Sequence, residues 1–531
     1  KKEKKSTVVF TGDGGTSEGD FHEALNVASV WDLPVLFVIE NNGYGLSTPN
    51  EEQFKGDSLA IRGDGYGIES LSIDGNNLLE VYTTVKEKLE NIRKDPRPVL
   101  LECYTFRMRG HEEASGTKYV PKEVMEYWSK KDPVINYENY LLEEKVYSKE
   151  EIETIKAEIK DEINEAVKQS FDGKPFIVNG ESEVEDVFYP YTQRVNFPSA
   201  KSISEKRYVD AISDGLRQSM NRYKDMVIMG QDIAEYGGVF KITDGFVKEF
   251  GKERVFNAPI AEDFIVGTAN GFSRFRDDIR VVVEGAEFAD YFWPAMEQLV
   301  ECSHDYWRSN GQFSPNVVIR LASGGYIGGG LYHSQNIEGT LTTFPGLRVV
   351  SPSFADDAAG LLRTSIRSKG MTLYLEPKAL YNAKYAMSSI PEEYEVPFGK
   401  AKVRREGEDL SIITYGNTVH YSLDAAKELE EEGYNVEILD LRSLSPLDTD
   451  SIVQTVAKTN RALVVHEDKV FAGFGGEVVS VINELAFEHL DAPVQRCGST
   501  FTPVGFNRIL ERAVLPNKQR IKEKALEVLR Y

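Results

Sequence analysis

Short apolar runs that close on glycine, asparagine or other turn residues alternate along this chain with longer stretches in which apolar positions return at helical spacing. The first run, Val8-Val9-Phe10-Thr11, passes into Gly12-Asp13-Gly14-Gly15, and the second, Pro34 to Glu40, passes into Asn41-Asn42-Gly43-Tyr44. Between them Phe21, Ala24, Leu25, Ala28 and Trp31 keep a helical period, with Thr16 or Ser17 placed as the cap and Glu18 and Asp20 in the first turn. Strand, helix and strand in this order predict two parallel strands whose turns leave the same sheet edge, the edge at which open parallel sheets bind ligands. Ser70 to Ile73 and Val99 to Phe106 read as two further strands. A sheet covered on both faces usually has about five or six strands, so the chain is expected to be truncated ahead of its first strand.

The pattern then changes. Glu112 to Tyr119 is polar and small, a loop leaving the same edge. From about Pro133 to Asn196 the composition is acidic and helical, with Ser148 and Glu151 spaced as a capping box and Ile152, Ile155, Ile159 and Ile163 on one stripe. Asp186 to Arg194 has no helical period and reads as an extended crossing. A second alternating unit starts near Ser204, with strands at Met226 to Met229, Ile279 to Glu284, Val317 to Leu321, Leu347 to Ser351 and Leu373 to Glu376, and helices at Phe264 to Phe275, Tyr291 to Trp307 and Phe354 to Ile366. A third follows Val396, with strands Leu410 to Thr414, Val436 to Leu441 and Leu463 to His466 between the helices Val419 to Glu432 and Thr449 to Ala457. The fold class is α/β, three doubly wound parallel-sheet domains with the first incomplete. The expected boundaries are 1–135, an acidic helical segment and linker at 136–203, then 204–390 and 391–531.

Composition narrows the partners. Of 531 residues, 85 are acidic and 62 basic, a formal charge of -23 that argues against the phosphate-neutralising surface nucleic acids require. Cys103, Cys302 and Cys497 lie far apart without metal-ligand spacing and read as reduced, which points to a cytoplasmic protein. No apolar run approaches the roughly twenty residues that span a bilayer, so no membrane association is expected.

The turns carry the chemistry. Adjacent glycines let backbone N–H groups approach an anion, and the following helix presents its positive end, which describes a phosphate seat. Asp13 and Asn42 add hard oxygen ligands of the kind Mg2+ takes together with phosphate oxygens, so a Mg2+-bridged diphosphate is the economical reading. His111, at a strand exit, would by default be a surface residue, but it stands at the ligand-binding edge. Glu262 opens the helix after Ala258-Pro259-Ile260-Ala261, where a carboxylate is also simply favoured by the helix dipole. The run Glu287-Phe288-Ala289-Asp290-Tyr291-Phe292-Trp293 is largely core by default. His333 follows the glycine-rich stretch Ser323 to Gly330, where a neutral imidazole could move protons.

With 26 residues between Gly14 and Asn41, the pair of turns resembles the thiamine diphosphate signature, in which the aspartate, the second asparagine and a carbonyl two residues later hold the metal. The resemblance therefore implies Asp13, Asn42 and the Tyr44 carbonyl as Mg2+ ligands. Together with Arg107 to His111, Met229-Gly230-Gln231-Asp232, Tyr332-His333-Ser334-Gln335 and Asp440 to Asp448, the chain resembles the decarboxylating first component of 2-oxo acid dehydrogenase complexes, branched-chain or pyruvate type, with alpha and beta subunits fused. That family implies a diphosphate-binding domain first, a pyrimidine-binding domain second and a transketolase-like domain last. It implies cofactor contacts from Gly12, Asp13, Gly14, Gly15, Asn42, Tyr44, Leu46 and His111, and from Ile260, Glu262, Glu287 and Tyr291. It assigns catalysis to Glu262, His333 and His111, with Glu262 bonding a pyrimidine ring nitrogen. The implied partners are a 2-oxo acid and a lipoylated acyltransferase component, with a homodimer as the assembly. Glu112 stands where regulated relatives carry a phosphorylatable serine. A transketolase-type carbon transferase, or an inactive fragment needing a second polypeptide, are the alternatives.

Overall fold

The computed structural model describes residues 4–112, 114–174, 179–194, 205–285, 288–390 and 393–531. The chain divides into two compact units, Lys1–Val178 and Asn179–Tyr531.

The first unit is built on a four-stranded sheet in the order Thr7–Gly12, Val35–Asn41, Val99–Tyr104, Glu69–Asp74, all parallel. Alternation along the central strands sends Phe37, Ile39 and Leu100 to one face, where the helix Gly19–Val30 packs with Phe21, Leu25 and Ala28. Leu36, Val38, Val99 and Leu101 face the other way, against Ile92 of the helix Leu78–Lys94. The register pairs Gly12 with Glu40 and Asn41 with Tyr104, so both turns leave the sheet side by side.

The helix start differs from the sequence expectation. Gly14–Ser17 forms a 3-10 turn of its own, and the N-cap of the helix is Glu18, without a side-chain cap. Thr16 cannot cap because its buried hydroxyl donates to the Asp13 carbonyl at 2.6 Å. The acidic segment is helical over Pro133–Glu143 and Lys149–Phe171, and the capping box forms, Glu151 N–H donating to Ser148 Oγ at 3.2 Å and Ser148 N–H to Glu151 Oε2 at 2.7 Å.

Among the described residues the second unit holds two larger sheets and a two-stranded pairing of Glu205–Lys206 with Ser388–Ser389. The larger runs Ser443–Ser445, Arg348–Val350, Thr372–Pro377, Val317–Ser323, Arg280–Gly285, Met226–Gly230, Val255–Asn257, parallel except for the first pair. The other runs Lys402–Arg405, Val436–Asp440, Leu410–Thr414, Ala462–Lys469, Gln495–Ser499, with Lys402–Arg405 antiparallel to its neighbour. The single helix expected over Tyr291 to Trp307 is broken. Ala289–Tyr291 and Trp293–Ala295 are 3-10 turns, and regular helix begins at Met296, because Pro294 supplies no N–H to an ongoing helix. Among the described residues, no helix is long and apolar enough to cross a membrane.

A buried ion network ties the two larger sheets of this unit together. Asp357, on the helix Ala355–Arg367, accepts from Arg442 Nη1 at 3.0 Å and from Arg404 Nη2, which also donates to Asp440 at 2.8 Å. Burial would raise the Asp357 carboxyl, but the charges of Arg442 and Arg404 outweigh it and hold it at about 2. Asp440 moves the other way: burial raises it, and the neighbouring Asp357 charge adds to that against the pull of Arg404. The two carboxylates share one pair of arginines, and Asp357 holds its charge more firmly.

Removing the Asp357 charge leaves two buried guanidiniums underpaired, so Asp357→Asn is expected to destabilise the second unit by about 3 kcal/mol in urea unfolding at neutral pH. A folded pKa depressed to about 2 contributes stability above the ordinary aspartate range and loses it as pH falls through the folded value, so the deficit of the variant should narrow toward acid.

Candidate functional site

In the first unit the two turns meet at the backbone. A Cβ on Gly14 would stand 3.0 Å from Gly45 Cα, and one on Gly45 would stand 2.5 Å from Gln53 Oε1. Gly43 at φ 85 and Leu46 at φ 60 turn the chain back through the short hairpin of Tyr44–Gly45 and Thr48–Pro49. Asp13, only 1% exposed, lies in this junction. Its Oδ2 accepts from Gln53 Nε2 at 3.3 Å, and the backbone N–H groups of Asn42 and Gly14 also face the carboxylate. Burial outweighs these donors and raises its pKa.

The two asparagines of the second turn do different work. Asn41 is buried and fully engaged: Nδ2 donates to Glu102 at 2.8 Å, while Oδ1 accepts from Gly43 N–H at 3.1 Å and Asn50 Nδ2 at 2.7 Å. Asn42 is half-buried, and among the described residues its side chain accepts only from Tyr44 N–H, at 3.2 Å. The first asparagine therefore builds the turn and the second is available to a ligand.

Leu46 lies at the exposed tip of the hairpin. Its carbonyl accepts from Arg107 Nη2 at 2.6 Å and from Tyr119 OH at 3.0 Å. Arg107 Nη1 stands 3.1 Å from His111 Nδ1. Guanidinium only donates, so Nδ1 accepts and the neutral ring carries its proton on Nε2. The Tyr44 ring meets Tyr119 edge-on at 5.5 Å. Gly12, Asp13, Gly14, Gly15, Asn42, Tyr44, Leu46 and His111 thus gather at one sheet edge.

In the second unit Glu262 is the first residue of the helix Glu262–Phe275 and is buried, and Gln231 Nε2 donates to its Oε1 at 3.1 Å. Gly230, just before Gln231, passes so close to the neighbouring strand that a Cβ would lie 2.2 Å from the Glu284 carbonyl. Ile260 is exposed. Glu287 lies outside the described residues. The His333 imidazole meets Phe288 at 4.9 Å and Tyr291 at 5.9 Å, both edge-on. Its Nδ1 pairs with the Tyr332 carbonyl, which can only accept, so Nε2 is left with its lone pair. Among the described residues no hydrogen bond or ring contact joins Glu262 to His333.

The glycine-rich stretch before His333 is anchored rather than loose. Glu467 accepts the Gly325 N–H and Glu511 that of Gly328 at 3.1 Å; beyond His333, Asp468 accepts that of Gly339 at 2.9 Å. Burial pushes Glu467 up to about 7. Sequence reasoning missed Gln53, Glu102 and Gln231 as partners of the site. Glu102 carried a signal, a carboxylate inside the apolar strand Val99–Tyr104, where an unpaired charge would be costly; Gln231 stood within the run Met229-Gly230-Gln231-Asp232 that carries the resemblance, and Gln53 carried none.

Among the described residues there is no cluster of three or more His, Cys, Asp or Glu able to hold a metal. The expected Mg2+ set is of another kind, one carboxylate, one amide oxygen and one backbone carbonyl, with the rest of the shell from phosphate and water.

Comparison with known proteins follows this layout. The family model described as dehydrogenase E1 component matches residues 1–176, the transketolase pyrimidine binding domain matches 204–384, and the transketolase C-terminal domain matches 399–521. The pyruvate dehydrogenase E1 component subunit beta of Staphylococcus aureus is 41% identical over 331 residues, 62% of this chain and 100% of that protein. The 2-oxoisovalerate dehydrogenase subunit beta of Bacillus subtilis is 35% identical over 332 residues, with the same 62% and 100% coverage. A solved split-gene transketolase, an inactive beta4 tetramer, is similar at a TM-score of 0.49 and 20% identity, covering 61% of this chain and 98% of that one. Families of this kind typically use thiamine diphosphate. The chain belongs to the E1 components of 2-oxo acid dehydrogenases, pyruvate or branched-chain type, with an alpha region and a beta region carried on one polypeptide.

Proposed function

We propose that this chain catalyses the oxidative decarboxylation of a 2-oxo acid, pyruvate or a branched-chain acid, and passes the acyl group to a lipoyl arm of the complex's acyltransferase. The observation that carries the reading is the junction of the two glycine turns, where a buried carboxylate, an amide oxygen and a backbone carbonyl collect at the edge of a parallel sheet. This oxygen set fits Mg2+ with a diphosphate, and the two turns approach so closely at Gly14 and Gly45 that neither position tolerates a Cβ. Asp13, Asn42 and the Tyr44 carbonyl would hold the ion. The raised pKa of Asp13 accords with this role, since a dication would supply the charge that the buried carboxylate lacks.

When bound, thiamine diphosphate supplies the electron sink for loss of carbon dioxide. The remaining work falls to side chains. Glu262, held by Gln231, is aimed as a proton partner for a pyrimidine nitrogen. His333 and His111 are set in opposite senses: His333 offers a lone pair at Nε2 and His111 an N–H at Nε2. His333 can take a proton and His111 can donate a hydrogen bond, with Arg107 fixing the second. Leu46, Ile260 and Tyr291 are assigned as cofactor contacts, and a homodimer as the assembly.

Asp13→Ala is expected to weaken Mg2+-dependent binding of thiamine diphosphate by at least about 100-fold in calorimetry, and unchanged affinity would remove Asp13 from the metal set. Glu262→Gln should leave that binding nearly intact while slowing proton exchange at the thiazolium carbon by about 100-fold or more; exchange at the parent rate would rule the residue out. Turnover with an artificial electron acceptor, compared between pyruvate and branched-chain 2-oxo acids, tests the reaction class, and no turnover with any of them would refute it.

A further inference from the structure

The turn after the strand Arg280–Gly285 grips the segment that carries His333. Phe288 adopts φ 63, an uncommon conformation for a bulky residue, and Ala289–Tyr291 follows as one 3-10 turn. Phe288 and Tyr291 are the two rings that meet the His333 imidazole edge-on. Asp290 lies between them and is buried. Its Oδ2 accepts the N–H of Ser334 at 3.0 Å and of Gln335 at 2.8 Å, the two residues that follow His333. Its Oδ1 is buried without a hydrogen-bond partner among the described residues.

Each side of His333 is therefore fixed by a different device. Ahead of it, the imidazole closes on the Tyr332 carbonyl. Behind it, the backbone is tied to Asp290, and the Gln335 side chain accepts from Lys469 Nζ at 2.6 Å. The ammonium groups of Lys378 and Lys469 both act electrostatically on Asp290, and Lys378 lies over the Phe288 ring at 4.4 Å. Two N–H donors and two nearby cations keep a buried carboxylate where a neutral side chain would leave those amides weakly satisfied.

We infer that Asp290 is a positioning residue for His333, one that fixes the backbone after the imidazole and so sets the direction in which Nε2 points. This rests on the assignment of proton transfer to His333. The competing view is that Asp290 only holds the fold, in which case its loss would act on everything the second unit does.

The test compares Asp290→Ala, Asp290→Asn, His333→Ala and the double variant Asp290→Ala/His333→Ala in the full chain. Hydrogen exchange without cofactor should show the Ser334 and Gln335 amides exchanging about 10-fold or more faster in Asp290→Ala, with Asp290→Asn closer to the parent because its amide oxygen still accepts. Asp290→Ala should lower kcat by about 10-fold or more while KM stays within about 2-fold, and it should cost nothing further in the His333→Ala background. Full additivity in the double variant, or unchanged kcat in Asp290→Ala while His333→Ala is impaired, would overturn the positioning role. Unimpaired His333→Ala would instead overturn the assignment of His333 itself. Should Asp290→Ala fail to fold, Asp290→Leu, which keeps the volume but cannot accept from the two amides, carries the same double-variant comparison, with the same additivity overturning the inference.

Discussion

The backbone N–H groups of loops that leave a parallel sheet have lost their ladder partners, and where such loops are buried something else must accept from them. In this chain that acceptor is repeatedly a buried carboxylate. Glu102 accepts from the Leu59 and Ala60 N–H groups at 3.1 Å each, and from Asn41, Ser58 and Ser72 side chains as well. Asp468 takes the N–H groups of Gly339 and Phe474, at 2.9 and 3.1 Å. Burial works against each of these charges. For Glu102 the hydrogen bonds outweigh it and the pKa falls below the ordinary value, whereas for Glu467 burial prevails. The loops that carry the candidate site are thus held at fixed places by charge-assisted bonds rather than by the sheets themselves.

This constraint explains where the glycines fall. A carboxylate can accept from a main-chain N–H only if the chain comes close, and at Gly324, φ 82, a Cβ would stand 2.7 Å from Glu467 Oε1. At Gly339 a Cβ would lie 3.1 Å from Asp468 Oδ2 and 2.7 Å from the Ala472 carbonyl. The glycine-rich stretch before His333 is not a sign of looseness; it is the shape a backbone needs to reach fixed acceptors.

The strands of the three larger sheets were largely legible because period-two and continuous apolar runs report burial directly, as in Val35–Asn41 and Val317–Ser323. The paired turns were legible because their chemistry is local. Ser443–Ser445 was not foreseen as a strand, since three residues of weak pattern join the larger sheet only through pairing with Arg348–Val350. The helix start at Glu18 escaped because Thr16 spends its hydroxyl on Asp13, a competition between two local motifs. Asp290 and Gln231 escaped as well: their partners lie 44 and 31 residues away, and no periodicity encodes such a bond.

Carrying an alpha region and a beta region on one polypeptide has a consequence for the cell rather than for the chemistry. Relatives such as the Staphylococcus aureus protein are made as a separate subunit beta. Separate chains have to be expressed in matched amounts. Here translation itself fixes the ratio at one to one. Gene dosage and uneven expression then change how much of the protein there is, but not its composition.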